Sequence, residues 1–352
     1  MNTRTNADPG RQGDTTVHAT LRFAAAVTAV FVLCEALQWA PTFMAPVLTA
    51  FLISNLPVRP PLKLCVVLVA TMAAAALFAL ALSSLLRGVP FVLFGLIALC
   101  MFLSFLAMAS GRQVLPFMLL LINLSTIPVV TMIAPAQAGI LPTALIGGIA
   151  LALLAIRIVH LAWPRVAAPA AAPAPATAPD AVATPLALAV LSTAVVLPVM
   201  LVYLLFGLAD VLPVLIATVM LVVNFDLQRG RVQAMGMVLG NFAGGLLGLL
   251  LHTVLLTTPN LAFLAVSLFL VLLGFGQRIA AGGAASGVAV IACNAMLIIF
   301  SSAISSDTGS LALWLIRLFQ FALAGAFAIG MMTLFWYRAF PQHSSPTSRT
   351  AR

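Results

Sequence analysis

The chain has 352 residues, of which 63% are hydrophobic and only 7% are charged. A soluble protein carries about a quarter charged residues, so this chain cannot cover a water-facing surface, and lipid must be its main solvent. A net charge of +9 would suggest nucleic-acid binding in a soluble protein, but here the basic residues stand singly between apolar runs, where they fix topology. We therefore expect an all-α, polytopic transmembrane helical bundle that lies in a lipid bilayer and binds no nucleic acid.

The first part of the chain divides into a tail and six apolar stretches. Residues 1–20 are polar and contain Pro9, Gly10 and Gly13, which predicts a disordered cytoplasmic tail rather than a cleaved signal. A membrane span needs about 20 apolar residues. The first transmembrane repeat, residues 21–163, holds six predicted spans: 21–38, 40–56, 62–86, 89–109, 113–134 and 138–163.

An Ala/Pro-rich cytoplasmic linker, residues 164–183, separates this repeat from a second one. Its many prolines and lack of apolar periodicity indicate an extended, semi-rigid segment. The second transmembrane repeat covers residues 184–340, and a cytoplasmic tail covers residues 341–352. Its six predicted spans are 184–206, 208–224, 232–256, 260–276, 280–304 and 310–337. The whole chain thus has about twelve spans.

The two halves share landmarks in the same order. A Pro-Val-Leu run begins at Pro46 in the second span and again at Pro213 in the eighth, and Asn123 and Asn294 lie inside the fifth and eleventh spans. Because each half has an even number of spans, the repeats are predicted to be parallel, related by an axis along the membrane normal.

The positive charges predict that both termini are cytoplasmic. With that orientation the loops and tails on the outer side hold only Arg87, and Arg317 lies inside the twelfth span. The remaining basic residues fall on the cytoplasmic side, as the positive-inside rule requires. This asymmetry also supports an even number of spans.

No motif for soluble catalysis is present in the sequence. It contains no nucleotide-binding P-loop, no HExxH and no paired carboxylates inside a span, and its four cysteines and four histidines are dispersed. We therefore expect no enzymatic activity, no cofactor and no metal site.

Two ionisable residues inside predicted spans are candidates for function. Glu35 is the acidic residue that lies well clear of a loop within an apolar run, and Arg317 lies about seven residues into the last span. An ionisable residue inside the membrane is a functional candidate by default. Both residues lie toward the outer face, so they either extend to the periplasmic interface, or they form a pair. A third alternative is that Arg317 neutralises an anionic substrate while Glu35 couples transport to protons.

Four further residues are candidates for a substrate path. Asn123 and Asn294 need polar partners inside lipid, so they either bond between helices or line a pore. Pro46 and Pro213 are expected to interrupt two short spans at matched positions, a pattern that either marks a substrate site or forms a kinked hairpin. In contrast, the glycines at every fourth residue of the ninth span indicate close helix packing; they are Gly236, Gly240, Gly244 and Gly248.

The run from Leu212 to Leu251 resembles the core signature of the fusaric acid resistance and aromatic acid exporter superfamily. An apolar span is followed by a basic loop and then by glycines that open the next span. The matching residues are Arg229, Arg231, Gly236, Gly240 and Gly244. The stretch from Leu21 to Leu86 resembles it more weakly. Larger members carry a cytoplasmic domain between their halves, whereas here only the linker stands in that place, as in the compact, uncharacterised members.

The resemblance implies an efflux permease subunit of the bacterial inner membrane. Such a protein would export small amphipathic or aromatic organic acids and related toxic compounds, with a proton gradient as its expected energy source. It would work beside a periplasmic membrane-fusion adaptor or as a homo-oligomer. Two alternatives are a scaffold subunit of a membrane complex that transports nothing, and a carrier similar to the major facilitators. The loop after the second span lacks the glycine and aspartate expected of the latter.

Overall fold

The structure is a computed structural model. It describes residues 9–56, 58–135, 138–164, 184–206, 211–223 and 230–305, together with residues 319, 323, 326–327 and 330–331. Over these ranges the chain forms eleven helices and no strand, so the predicted all-α bundle is confirmed.

The helices follow the predicted spans closely. In the first half they are α1 (Pro9–Ala36), α2 (Met44–Asn55), α3 (Leu62–Leu85), α4 (Pro90–Ala109), α5 (Val114–Ile133) and α6 (Ile140–Ala162). In the second half they are α7 (Pro185–Phe206), α8 (Val211–Val223), α9 (Gly230–Thr257), α10 (Leu261–Ala280) and α11 (Ala284–Ser305). Most of the predicted twelfth span, 310–337, lies outside the described residues.

One boundary differs from the prediction. The tail over residues 1–20 was expected to be disordered, but α1 begins at Pro9, so that prediction is wrong for residues 9–20. Proline is favoured in the first helical turn because its missing N–H has no partner there in any case. No proline lies between Pro9 and Pro41. The helix of the apolar stretch can therefore extend toward the N-terminus through the polar residues.

Most of the helices are long enough to cross a bilayer. Within the described ranges, nine helices combine the necessary length and apolar composition. The other two are α2, with 12 residues, and α8, with 13. At 1.5 Å per residue they span about 18–20 Å, less than the hydrocarbon thickness of about 30 Å. These short helices correspond to the predicted second and eighth spans, one in each repeat.

The helix packing repeats after six helices. α3 packs against α5 as α9 packs against α11, and α4 packs against α7 as α10 packs against α1. Likewise α5 contacts α8, and α11 contacts α2. Each of these described pairs becomes its counterpart when six is added to or subtracted from each helix number. This packing agrees with two parallel repeats.

Helices α5 and α11, which carry Asn123 and Asn294, lie at the centre of the bundle. Seventy-two per cent of the residues along the span of α5 are buried, and 78% of those along α11, against 22% for α10 and 28% for α4. The ring of Phe300 in α11 stacks on that of Phe31 in α1, with centroids 5.3 Å apart. The centre of the molecule is thus built from corresponding helices of both halves.

The glycine ladder of α9 packs directly on α11, as predicted. A Cβ atom added to Gly248 would lie 2.7 Å from the carbonyl oxygen of Met296, and one added to Gly240 would lie 2.8 Å from the side chain of Val288. At Gly244 the added atom would collide with the backbone of Ala292. The two helices approach so closely only because these positions carry no side chain.

The Gly244→Ala variant should therefore destabilise the bundle. Its methyl group would push α9 away from α11, and forced overpacking of this kind costs about 1–3 kcal/mol. Thermal unfolding in detergent would measure the loss. Gly274→Ala in α10 is the matched control, because nothing lies within 4 Å of a Cβ at that position. Equal melting temperatures for the two variants would contradict the packing described for α9 and α11.

Candidate functional site

The short helix α2 is enclosed by protein along most of its length. Every residue from Met44 to Leu52 is buried, as are the inner parts of α5 and α11, whereas α3, α4 and α10 each keep an exposed face. In α8, the described side chains on the inner part of the helix are also buried, among them Leu215 and Val219. Both short helices therefore lie inside the bundle, and the segment Leu37–Phe43 that leads into α2 is not helical.

The prolines do not interrupt these helices. Pro41 lies in the link before α2, Pro46 is the third residue of α2, and Pro213 is the third residue of α8. The first N–H groups of a helix have no partner within it, so a proline there breaks no hydrogen bond. The expectation that Pro46 and Pro213 interrupt their spans is wrong, because each proline lies in the first turn of its helix. The second span is short because α2 begins only at Met44.

The proline that does disturb a central helix is Pro128, inside α5. It has no N–H to donate to the carbonyl oxygen of Leu124, four residues earlier. That carbonyl follows directly after Asn123, at the centre of the bundle. Sequence analysis missed this position, although a proline in the middle of an apolar span was visible. Pro198 lies inside α7 in the same way.

Asn123 lies in the interior of α5 with no exposed surface. Its side-chain amide donates two hydrogen bonds, to the carbonyl oxygen of Leu119 at 2.7 Å and to the sulfur of Met72 in α3 at 3.1 Å. Among the described residues, its oxygen Oδ1 has no hydrogen-bond partner although it is buried. The predicted interhelical bond is therefore present, but it uses only the nitrogen of the side chain.

Asn294 repeats this arrangement in α11. It is 5% exposed, and its amide nitrogen lies 3.5 Å from the sulfur of Met220 in α8. Its Oδ1 is also buried without a partner among the residues that the structure describes. Such an oxygen costs about 1–3 kcal/mol unless water or a ligand reaches it. Two matched amide oxygens on the central helices thus offer hydrogen-bond acceptors to a polar molecule.

Glu35 lies in the last turn of α1 and is half-buried. Its carboxylate oxygen Oε1 is buried, and no described residue bonds to it. Its main-chain carbonyl accepts a hydrogen bond at 2.9 Å from the side-chain amide of Gln38, a residue with a φ of 51°. Arg317 lies outside the described residues, so the pairing of the two side chains stays a prediction.

The link that follows Glu35 is held by a close aromatic contact. The indole ring of Trp39 lies against Gly147 of α6, at a point where a Cβ atom would collide with it. The next glycine, Gly148, leaves room for Ala45 of α2, whose Cα would lie 3.6 Å from an added Cβ. Gly147 thus makes room for the ring of Trp39, while Gly148 lies in ordinary contact with the first turn of α2.

Two arginines, one in α1 and one in α6, form hydrogen bonds at the end of the bundle opposite this link. The guanidinium group of Arg22, a buried residue in α1, donates to the carbonyl oxygen of Trp163 at 3.1 Å, just after α6 ends. That of Arg157 in α6 donates to the carbonyl oxygen of Pro60 at 2.9 Å. A positive charge at the end of a helix also stabilises its dipole. Sequence analysis placed both arginines toward the cytoplasmic face but did not find these contacts.

Fold and site together define a multi-pass helical membrane protein with two corresponding halves. Residues 19–162 match the model of a family described as a protein of unknown function, DUF2955. The matched range coincides with the first repeat. No curated protein and no solved structure matches the chain. The resemblance to the aromatic acid exporters therefore stays a prediction.

Proposed function

We propose that this protein is a membrane carrier that exports small amphipathic or aromatic organic acids. The observation that carries the proposal is the pair of short helices, α2 and α8, one in each half. A helix that begins inside the membrane leaves its first N–H groups without partners in that helix. In secondary transporters, broken or half-length helices at matched positions form the substrate site.

The direction of α2 and α8 suits an anionic substrate. The N-terminus of a helix carries about half a positive charge, which attracts carboxylates. Both short helices start on the side where α1 and α7 end. With both termini cytoplasmic, as we propose, the N-termini of α2 and α8 would face the outer half of the membrane. Two matched N-termini on either side of the central axis would bind the carboxylate of an organic acid without a buried basic side chain.

The asparagines extend this path toward the centre of the bundle. Asn123 and Asn294 belong to α5 and α11, and α5 contacts α8 while α11 contacts α2. Their unpaired amide oxygens would accept hydrogen bonds from a hydroxyl group or from a protonated carboxyl group on the substrate. The resemblance of the stretch from Leu212 to Leu251 to the aromatic acid exporters supports the same class of substrate.

We further propose that Glu35 couples export to the proton gradient. It lies beside the non-helical link into α2, and its carboxylate has an oxygen that no described residue satisfies. A carboxyl group in such a place gains and loses protons as the path opens to either side. Within this proposal the protein lies in the bacterial inner membrane with both termini cytoplasmic, and a periplasmic adaptor protein receives the exported acid.

Replacing either asparagine by leucine should reduce export while the fold is kept. Leucine has the same branched shape as asparagine, although it is larger, and it removes the unpaired oxygen together with the weak bonds to methionine sulfur. Export should fall at least about tenfold, as expected when a buried polar contact to the substrate is lost. Accumulation of labelled 4-hydroxybenzoate in a deletion strain that expresses Asn123→Leu or Asn294→Leu would measure this effect.

Ser267→Ala is the control for these variants, because that hydroxyl bonds only within α10. Thermal unfolding of each purified variant would show that the bundle remains folded. If the deletion strain accumulates no more acid than the parent strain, the export proposal is wrong. Purification of an inactive carrier together with a stably bound enzyme would instead favour the scaffold role.

Glu35→Gln should uncouple transport from the proton gradient. Glutamine keeps the shape of the side chain but cannot release a proton. In vesicles that contain this variant, an imposed pH gradient should no longer accelerate movement of 4-hydroxybenzoate, whereas movement down its own concentration gradient should persist. Acceleration equal to that of the unchanged protein would exclude Glu35 as the coupling residue.

A further inference from the structure

A groove lies between α1 and α10, two helices from different halves of the chain. It is a wide, open groove with a volume of about 580 Å³, a size that suits a small-molecule ligand. The wall formed by α1 consists mainly of small residues, and the wall formed by α10 includes an aromatic ring. The lining residues are Ala25, Thr28, Ala29, Val32, Leu33, Ala36, Ala265, Val266, Phe269 and Leu270.

The groove opens toward lipid and toward the outer half of the membrane. At the cytoplasmic end the two helices nearly touch, since a Cβ atom on Gly276 would lie 3.0 Å from the carbonyl oxygen of Thr20. The lining residues of α1 all follow this contact, toward the link into α2. Val266 is 59% exposed and Leu270 is 62% exposed at the rim. A molecule dissolved in the bilayer could therefore enter the groove from the side.

One polar group lines this apolar groove without a partner. Thr28 is only 7% exposed, and among the described residues its hydroxyl has no hydrogen-bond partner. The corresponding residue of the other half is Thr193, which opens the same Thr-Ala-Val run in α7 and is equally buried. The Thr193 hydroxyl donates to the carbonyl oxygen of Ala189 at 2.7 Å, the usual arrangement for threonine in a helix.

The free hydroxyl can be turned toward the groove. Threonine in a helix populates two side-chain rotamers, and rotation between rotamers changes the direction of its oxygen. Glu35 follows seven residues later, so it lies on the same side of α1, about 10.5 Å farther along the axis. Thr28 and Glu35 therefore place two polar groups on the same side of α1, one in the groove and one beside the link into α2.

We propose that this groove is a lateral binding site for the apolar or aromatic body of a small amphiphile that enters from the outer half of the bilayer. The Thr28 hydroxyl bonds to the single polar group that the amphiphile carries at this depth. A lipid tail offers hydrogen-bonding groups only at its ester end, near the membrane surface, so it leaves this hydroxyl unpaired. This inference rests on the proposed export function and extends it, because the groove would be the place where a substrate leaves the membrane.

Photolabelling with 4-hydroxybenzophenone tests this site directly. The probe is aromatic, carries a hydroxyl and a carbonyl group, and forms covalent bonds to nearby C–H groups under light. The full chain would be labelled in lipid nanodiscs, and the labelled peptides would be identified by mass spectrometry. We expect saturable labelling of residues 25–36 of α1 and residues 265–270 of α10.

Two pairs of variants test whether the labelling is specific to the groove. Thr28→Val keeps the shape but removes the hydroxyl, and should raise the half-saturating probe concentration about threefold to tenfold, as for one lost hydrogen bond. Thr193→Val, the matched control, should leave it unchanged. Ala29→Trp should fill the groove and abolish the labelling, whereas Ala194→Trp at the corresponding position of α7 should not.

Labelling spread equally over the lipid-facing sides of α3, α4 and α9 would mean that the probe only dissolves in the bilayer, and would overturn the proposal. Equal half-saturation for Thr28→Val and the unchanged protein would overturn the role of the hydroxyl. Localised labelling in a protein whose deletion changes no acid accumulation would support the groove and contradict the export function, so the two failures are distinguishable.

Discussion

The architecture depends on one constraint: a peptide group inside the hydrocarbon region of a membrane must find its hydrogen-bond partners within the protein. Helix α2 is too short to cross the bilayer, so its ends and the link into it need a protein environment, and α8 has only 13 described residues. The longer helices supply it by surrounding them. Burial of α2 from Met44 to Leu52 follows from this requirement, and so does the central position of α5 and α11.

Close helix contact makes this enclosure possible. Glycines let α9 approach α11, let Trp39 of the link lie against α6, and let α10 approach α1 at Gly276. Lipid gives apolar helices little reason to associate, so packing through small residues must hold them together. The two halves use the same plan with different details. Thr28 and Thr193 occupy corresponding positions, yet only Thr193 satisfies its own hydroxyl.

Most of the fold could be predicted from the sequence because lipid imposes a simple rule on composition and span length. The repeat was visible because both halves carry matched prolines and asparagines in the same order along similar apolar spans. The start of α1 at Pro9 could not be predicted, because polar residues can extend a helix beyond the membrane. The partners of Asn123 and Asn294 were also unpredictable, as they depend on which helices meet. Pro128 was visible as a proline inside an apolar span, but its importance depends on the central position of α5, which only the fold reveals.

The central claim is that the N-terminus of α2 faces a polar path open to the outer side. A single cysteine at Thr42, just before α2, tests it in a variant without the four native cysteines. We predict that a charged, membrane-impermeant maleimide added from outside labels this cysteine, and that 4-hydroxybenzoate slows the reaction. A cysteine at Leu77, exposed on α3, should stay unlabelled because it faces lipid. If the cysteine at position 42 is as unreactive as the one at position 77, no polar path reaches α2, and the account is contradicted.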